Sequence, residues 1–277
     1  MLTTTRILLT STALLTCASA EPVIKKEIRI ENDKKVEYMF IDGIKVHETD
    51  PAKQPQPKVV TPPPYDAEKA KAPASAKVLF DGSAESMAQW VPTKKGDKEW
   101  KLVDGAMESV KGAGYIQTKE EFGSCRLHLE FATPAKVKGA GQGRGNSGLF
   151  LMGIYEVQIL DSYENQTYPD GQCGAIYGRA VPKVNASRPP GEWQTYDITF
   201  HRPIFDKDGK VTRKARFTVI HNGVTIHDDV ELSGGTGWRG PHSVSEYKAH
   251  GDKGPIALQD HGNPVRFRNI WIEEIED

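Results

Sequence analysis

Apolar and polar residues alternate through most of the chain, and apolar residues rarely recur at the 3.6-residue spacing of a helix. Strands are predicted over 78–80, 100–103, 106–110, 115–118, 125–132, 147–152, 155–160, 175–177, 194–201, 215–221, 225–230, 256–259 and 265–274, with turn residues between them. Asn222-Gly223 joins two of these strands as a hairpin, because both residues tolerate the positive φ of a type I′ turn. So many short strands do not fit one open sheet. The pattern predicts an all-β fold with two sheets packed face to face as a jelly-roll sandwich, few helices and no solenoid repeat.

The pattern changes before residue 77. Residues 1–20 read as a signal peptide: Arg6, an apolar core from Ile7 to Leu15, and a small-x-small site at Ala18-Ser19-Ala20. Cleavage near Ala20 predicts a periplasmic or secreted protein. A short N-terminal membrane anchor stays open, as does a lipoprotein through Cys17, although Thr16 is not the small residue usual before a lipidated cysteine. Residues 21–50 form a small β-rich extension, with Ile28, Ile30, Val36, Tyr38, Phe40 and Val46 on strands and turns at Asn32-Asp33 and Asp42-Gly43. Thirty residues cannot bury a core of their own. Residues 51–76 hold seven of the 18 prolines and read as a stiff, extended, poorly ordered linker. The main domain is 77–277.

Composition adds exclusions. The 277 residues carry 36 Lys+Arg against 37 Asp+Glu, a net charge of -1, which provides no global field for nucleic acid or an anionic membrane surface. After residue 20 no apolar run approaches the roughly 18 residues of a membrane span. Cys125 and Cys173 remain after signal removal. In an exported protein they could pair, but sequence does not give their separation. No zinc-like Cys/His spacing is present.

The chemistry concentrates in two stretches. In Tyr155–Leu160, Val157 and Ile159 face one way while Glu156 and Gln158 share the other face. Asp161 lies five residues beyond Glu156, and a bulge near Ile159-Leu160 would return it to the Glu156 face. This E-x-Q-x-x-D spacing resembles the E-x-D-x-x-E strand of laminarinase-type retaining glycosidases, whose outer carboxylates serve as nucleophile and acid/base. Retention needs two carboxyls about 5–5.5 Å apart. Gln158 replaces the middle carboxylate and can neither share a proton nor tune its neighbours, which speaks against that reaction. The alternative is that Glu156 and Asp161 are solvated strand charges. The second stretch ends in Gln259-Asp260-His261, where a histidine beside a carboxylate suits acid/base work or a hydrogen-bonded turn.

Other positions carry weaker signals. Arg144 and Asn146 either reach a sugar or hold a turn, and Tyr177 and Trp193 belong either to the core or to the site. The long loop 233–254 offers Trp238 to stack on a sugar ring or to anchor the loop itself. His128 and His201 read as structural, and Arg266 and Arg268 as partners of structural ion pairs.

Taken in order, Val78-Leu79-Phe80-Asp81-Gly82, Val103-Asp104-Gly105, Tyr115-Ile116-Gln117-Thr118, Gly145-Asn146-Ser147-Gly148, Tyr155 to Asp161, Gly174-Ala175-Ile176-Tyr177, Gly191-Glu192-Trp193-Gln194, His221-Asn222-Gly223-Val224, and Gly254 to His261 with Val265 to Ile270 closely resemble the 3-keto-disaccharide hydrolase family. Gln194, where the family commonly has Asn, and the insertion at 203–212 depart from it. The resemblance implies a concanavalin A-like sandwich and cleavage of glycosides oxidised to a ketone at C3.

A C3 ketone acidifies the C2 hydrogen, so a base can form an enolate, the C1 group can leave, and water can add back. That chemistry needs a base, an acid and an enolate stabiliser rather than two carboxylates in retaining geometry. The expected base is Glu156 or His261 and the expected acid Asp161 or Asp260, with Gln158, Gln259 and Asn146 on hydroxyls or the ketone oxygen. The sequence assigns no cofactor. A divalent cation stays open as the enolate stabiliser, although no EF-hand-like loop supports one. The expected partner is an oligosaccharide or glycoside. A non-catalytic carbohydrate-binding module and an ordinary laminarinase-type glycosidase are the competing readings.

Overall fold

The computed structural model describes residues 24–31, 34–41, 44–47, 56–94, 96–237 and 246–277. The expected signal segment and Trp238 lie outside the described residues. The N-terminal extension forms an antiparallel sheet of β1 (Ile24–Glu31), β2 (Lys34–Ile41) and β3 (Ile44–His47), which flank the two expected turns.

The main domain is the expected jelly-roll sandwich. Its larger sheet runs β18 (Val224–Glu231), β17 (Arg216–His221), β14 (Gln194–His201), β10 (Cys125–Ala132), β20 (Arg266–Glu274), β8 (Ala106–Glu108), β7 (Lys101–Val103), with β5 (Lys77–Phe80) also paired to β20. The smaller sheet runs β12 (Tyr155–Ile159), β11 (Ser147–Leu151), β19 (Gly254–Leu258), β9 (Ile116–Phe122), β6 (Trp90–Pro92). Two short pairs complete the set: β4 (Lys58–Val59) with β13 (Val184–Asn185), and β15 (Ile204–Phe205) with β16 (Val211–Arg213). The insertion at 203–212 forms this last hairpin. One helical turn, α1 (Ala84–Met87), is capped by the Ser83 side chain accepting from Ser86 N.

The core follows from period-two patterning. Buried and half-buried residues alternate along β14 and β17. Leu127, Leu129, Phe131, Phe200, Phe217 and Phe267 of the larger sheet meet Leu149, Leu151, Tyr155, Val157, Ile159 and Leu258 of the smaller one. Each fully buried aliphatic or aromatic side chain contributes about 1.5–3 kcal/mol to this contact. Asn222 and Gly223 have φ of 51° and 78°, as the hairpin turn requires. Cys125 and Cys173 stay free and buried, so they do not pair.

The proline-rich stretch differs from a loose spacer. Residues 56–66 are extended, as proline dictates, and 67–76 turn, but the stretch is held against β13 and the outer face of the larger sheet. Val60 N donates to Asn185 O, Asn269 and Trp271 donate to Ala70 O, and Arg188 donates to Pro63 O. The Tyr65 hydroxyl donates to Glu130 Oε1 at 2.7 Å. Under this strap, Glu130 also accepts from Arg268 Nε at 2.7 Å and Asn269 Nδ2 at 2.8 Å. His128 Nδ1 meets Asp197 Oδ1 at 2.7 Å and its ring stacks on Trp271. Arg268 lies 4.0 Å from the centre of the Trp193 ring, so Trp193 supports an ion pair on this face.

Candidate functional site

The smaller sheet turns one face to the core and a polar face outward. The β11–β12 register pairs Phe150 with Glu156 and Gly148 with Gln158; the β11–β19 register pairs Phe150 with Ala257, which in turn pairs with Gln117 on β9. Beyond β12 the chain 174–177 adds a further rung, with Tyr177 N donating to Glu156 O and Gln158 N to Ala175 O. Tyr177, Glu156, Phe150, Ala257 and Gln117 therefore form one row. Directly opposed Cβ atoms in such a row lie about 4.5–5.5 Å apart.

Glu156 is the unusual member. It is 5% exposed, and no hydrogen bond or ion pair from a described residue reaches its carboxylate. Burial alone pushes its pKa up to about 8 from an ordinary 4.5. Gly148 explains how it fits: a Cβ there would overlap Glu156 Oε1 and stand 3.1 Å from Phe150 Cε2, so only glycine lets the carboxylate lie across β11. Thr236 Oγ1 accepts from Glu156 N at 2.9 Å and donates to Ile154 O at 2.7 Å, fastening the following loop beside the strand.

Phenols and amides surround the carboxylate. The Tyr168 and Tyr177 hydroxyls are 2.7 Å apart. Gln259 Nε2 donates to the Tyr115 hydroxyl at 2.5 Å, which leaves the Tyr115 proton free to be donated onward, while Gln259 Oε1 is buried without a partner. Burial, with the Glu156 charge adding to it, raises the pKa of all three tyrosines, so they are proton-bearing donors at neutral pH. Gln158 Nε2 donates to Gln142 Oε1 at 3.1 Å, and Gln142 Nε2 donates to Gly171 O at 2.7 Å. Asn146 Nδ2 donates to Gln142 O at 2.7 Å, and Asn146 Oδ1 is buried without a partner.

The other residues with sequence-assigned chemistry are placed differently. Asp161 is 2% exposed. It accepts from Arg144 Nε at 2.6 Å and from Tyr163 N at 3.2 Å, while the Arg144 guanidinium also donates to Tyr163 O. Asp260 accepts from Gly112 N at 2.7 Å, Gly114 N at 3.3 Å and Gly262 N at 2.8 Å, which closes the turn after β19. His261 is exposed in that turn. The structure thus gathers Glu156, Gln158, Tyr177, Gln259 and Asn146 around one face, and puts Arg144, Asp161, Asp260 and His261 where the strands end. Tyr115, Tyr168, Gln142 and Thr236 were not singled out from sequence. Tyr168 comes from a loop with no periodic signal, whereas Tyr115 and Gly148 stood within recognised motifs.

Among the described residues no cluster of three or more His, Cys, Asp or Glu side chains could hold a metal ion. No helix among them is long and apolar enough to cross a membrane.

A family model described as the 3-keto-alpha-glucoside-1,2-lyase-like domain matches residues 75–273. The crystal structure of a glycosyl hydrolase candidate from Parabacteroides distasonis ATCC 8503 is 44% identical, covers 80% of this chain and 93% of its own, and superposes with a TM-score of 0.70. A second such candidate from the same organism is 18% identical, covers 76% of this chain and 98% of its own, has a TM-score of 0.52, and shows the fold alone. None of the curated proteins compared with the chain matches it.

Proposed function

The chain belongs to the 3-keto-alpha-glucoside-1,2-lyase-like family, and from that premise we propose that it cleaves glycosides already oxidised to a ketone at C3, with Glu156 as the base. The observation that carries this reading is a buried carboxylate without a hydrogen-bond partner, pushed up to about 8, among proton-bearing phenols. A base so poised can take a proton from carbon at mildly alkaline pH, and once protonated it is an effective acid.

In the proposed reaction Glu156 breaks the C2–H bond and the electron pair moves to the C3 oxygen as an enolate. Tyr115 and Tyr177 donate hydrogen bonds to that oxygen, in place of charge. Collapse of the enolate restores the C3 ketone, forms the C1–C2 double bond and breaks the C1–O bond. The Glu156 proton leaves with the aglycone. Water then adds at C1 and a proton returns to C2. Gln158, Gln259 and Asn146 hold the ring hydroxyls. Asp161 fixes Arg144 at the strand ends, and His261 stands at the rim. This reaction suits a face with one free carboxylate better than ordinary retaining hydrolysis, which needs two. With residues 1–20 as an export signal cleaved near Ala20, we place the enzyme in the periplasm or outside the cell.

The test uses a disaccharide and its 3-keto derivative, with the wild type and Glu156→Gln. Only the keto form should be cleaved, and the variant should lose about 10³-fold, within the usual range for general acid/base groups. In deuterated water the C2 hydrogen of a 3-keto sugar should exchange with the wild type and not with the variant. Equal cleavage of the unoxidised disaccharide would overturn the proposal in favour of a conventional glycosidase. Saturable binding without cleavage of either would leave a carbohydrate-binding module.

A further inference from the structure

The stretch between Glu130 and Glu156 contains no acidic residue but carries Lys136, Lys138 and Arg144. The fold gathers this imbalance in one place. A recess of about 340 Å³ opens where β11 begins, beyond the ends of β12 and β19, and is lined by Lys136, Lys138, Arg144, Asp161 and Asn263. That volume falls in the range of small-ligand pockets. Its single acid is already matched, since Asp161 is held by Arg144 at 2.6 Å. Lys136 and Lys138 are exposed and make no ion pair with any described residue.

The recess adjoins the ends of the strands that carry the Glu156 face. Gly145 on its wall is three residues upstream of Gly148, over which the Glu156 carboxylate lies. Extended chain covers at most about 10 Å in that distance, within reach of the group attached to a sugar bound at Glu156. The amides of Gln158, Gln259 and Asn146 belong to the same strand ends.

We infer that this recess receives a negatively charged substituent, a carboxylate or a sulfate, on the leaving group, so that acidic glycosides are the preferred substrates. The inference rests on the reading of Glu156 given above. Solvent reaches both lysines, so the attraction is a screened one that acts on capture of the substrate more than on the chemical step.

The test compares aryl 3-keto-glucosides carrying a para-carboxylate, a para-sulfonate or a neutral para-carboxamide, with the wild type and Lys136→Gln/Lys138→Gln. The ratio of kcat/KM for the charged to the neutral substrate should fall about tenfold in the double variant, with the neutral substrate unaffected. In the wild type the same ratio should decline as salt rises. A larger effect for the sulfonate would assign a sulfated leaving group, and a larger effect for the carboxylate a uronate. An unchanged ratio overturns the inference. If the wild type cleaves none of the three, the reading of Glu156 has failed, and the recess is then judged by calorimetric titration with 4-carboxyphenyl glucoside and its carboxamide. A wild-type preference for the carboxylate that the double variant lacks sustains it, and equal affinities overturn it.

Discussion

Two glutamates, one on the outer face of each sheet, have nearly the same burial and opposite electrostatics. Glu130 on the larger sheet is 1% exposed and Glu156 on the smaller is 5% exposed. Burial alone would raise both, because it penalises the charged form. For Glu130 the His128 ring 3.8 Å away and the hydrogen bonds from Asn269, Tyr65 and Arg268 outweigh burial and bring the pKa down to about 2. For Glu156 nothing opposes burial, and the pKa rises to about 8. Removal from water therefore does not by itself mark a functional carboxylate. The presence or absence of donors separates a group that holds the structure from one held ready for a substrate. The proline-rich strap belongs to this contrast, because Tyr65 is one of the three donors.

The largest expected effect is on catalysis. Glu156→Gln should lower turnover of a 3-keto substrate about 10³-fold, equivalent to roughly 4 kcal/mol, while the thermal midpoint holds or rises, since a poorly solvated acid has become a neutral amide. Glu130→Gln should leave turnover per folded molecule near the wild-type value. Steady-state kinetics alongside differential scanning calorimetry reads both. A fall in turnover for Glu130→Gln as deep as for Glu156→Gln would erase the distinction between the two faces.

Next comes pH, with opposite signs for the two groups. The folded state holds the Glu156 proton until about pH 8, whereas the unfolded chain releases it near 4.5. Its contribution therefore weakens the fold progressively between those values, by several kcal/mol in all. Glu130 is the reverse: its stabilisation is present above about 4.5 and is lost as pH falls toward 2. His128, raised chiefly through Asp197 against the effect of burial, also stabilises at low pH and loses that as pH rises. The comparison must therefore be between wild type and Glu156→Gln, which share His128. Urea unfolding across pH 3–9 should show that the variant lacks part of the wild type's decline above 4.5. Activity should rise with pH toward a limb near 8, as a base that must lose its proton requires.

Third in size is the stability of the Glu130 cluster. Removing the carboxylate in Glu130→Gln leaves Arg268 facing a neutral amide, at a cost of about 3 kcal/mol, the low end for breaking a buried pair because Arg268 remains partly solvated. A fall in the urea midpoint without a change in slope measures it. A loss below about 1 kcal/mol would mean that the partnered glutamate is as dispensable to the fold as the unpartnered one.

The two glutamates were not equally legible in the sequence. Alternation of Val157 and Ile159 with Glu156 and Gln158 placed the latter pair on a polar face, because a strand's side-chain period is a local property. The Asn222-Gly223 turn was legible for the same reason. The partners of a carboxylate are not local. Asp161 seemed available from the E-x-Q-x-x-D spacing, but Arg144, 17 residues earlier, holds it. Glu130 drew no notice, because its donors come from residues 65, 268 and 269. Residues 51–76 read as a spacer because proline-rich composition reports an extended backbone. It does not report that carbonyls such as Ala70 O would find Asn269 and Trp271 on the sheet.

The smallest effect tests the strap's part in this contrast. Tyr65→Phe deletes one hydroxyl, which donates to Glu130 Oε1 at 2.7 Å, and leaves the Asn269 and Arg268 bonds in place. One such bond contributes about 1 kcal/mol, with bonds to charged groups toward the upper part of the range. Phenylalanine keeps the ring and Tyr65 is already 41% exposed, so little packing is lost. The loss should also shrink at low pH: with one donor fewer, Glu130 binds its proton sooner, and the acid limb of stability moves to higher pH. Urea unfolding at pH 7 and at pH 3 reads both quantities on one variant. A cost of about 1 kcal/mol at pH 7 that shrinks at pH 3 makes the strap a working member of the cluster. No cost at either pH would mean that the sheet residues alone hold Glu130 ionised and that the strap rests on a face already complete without it.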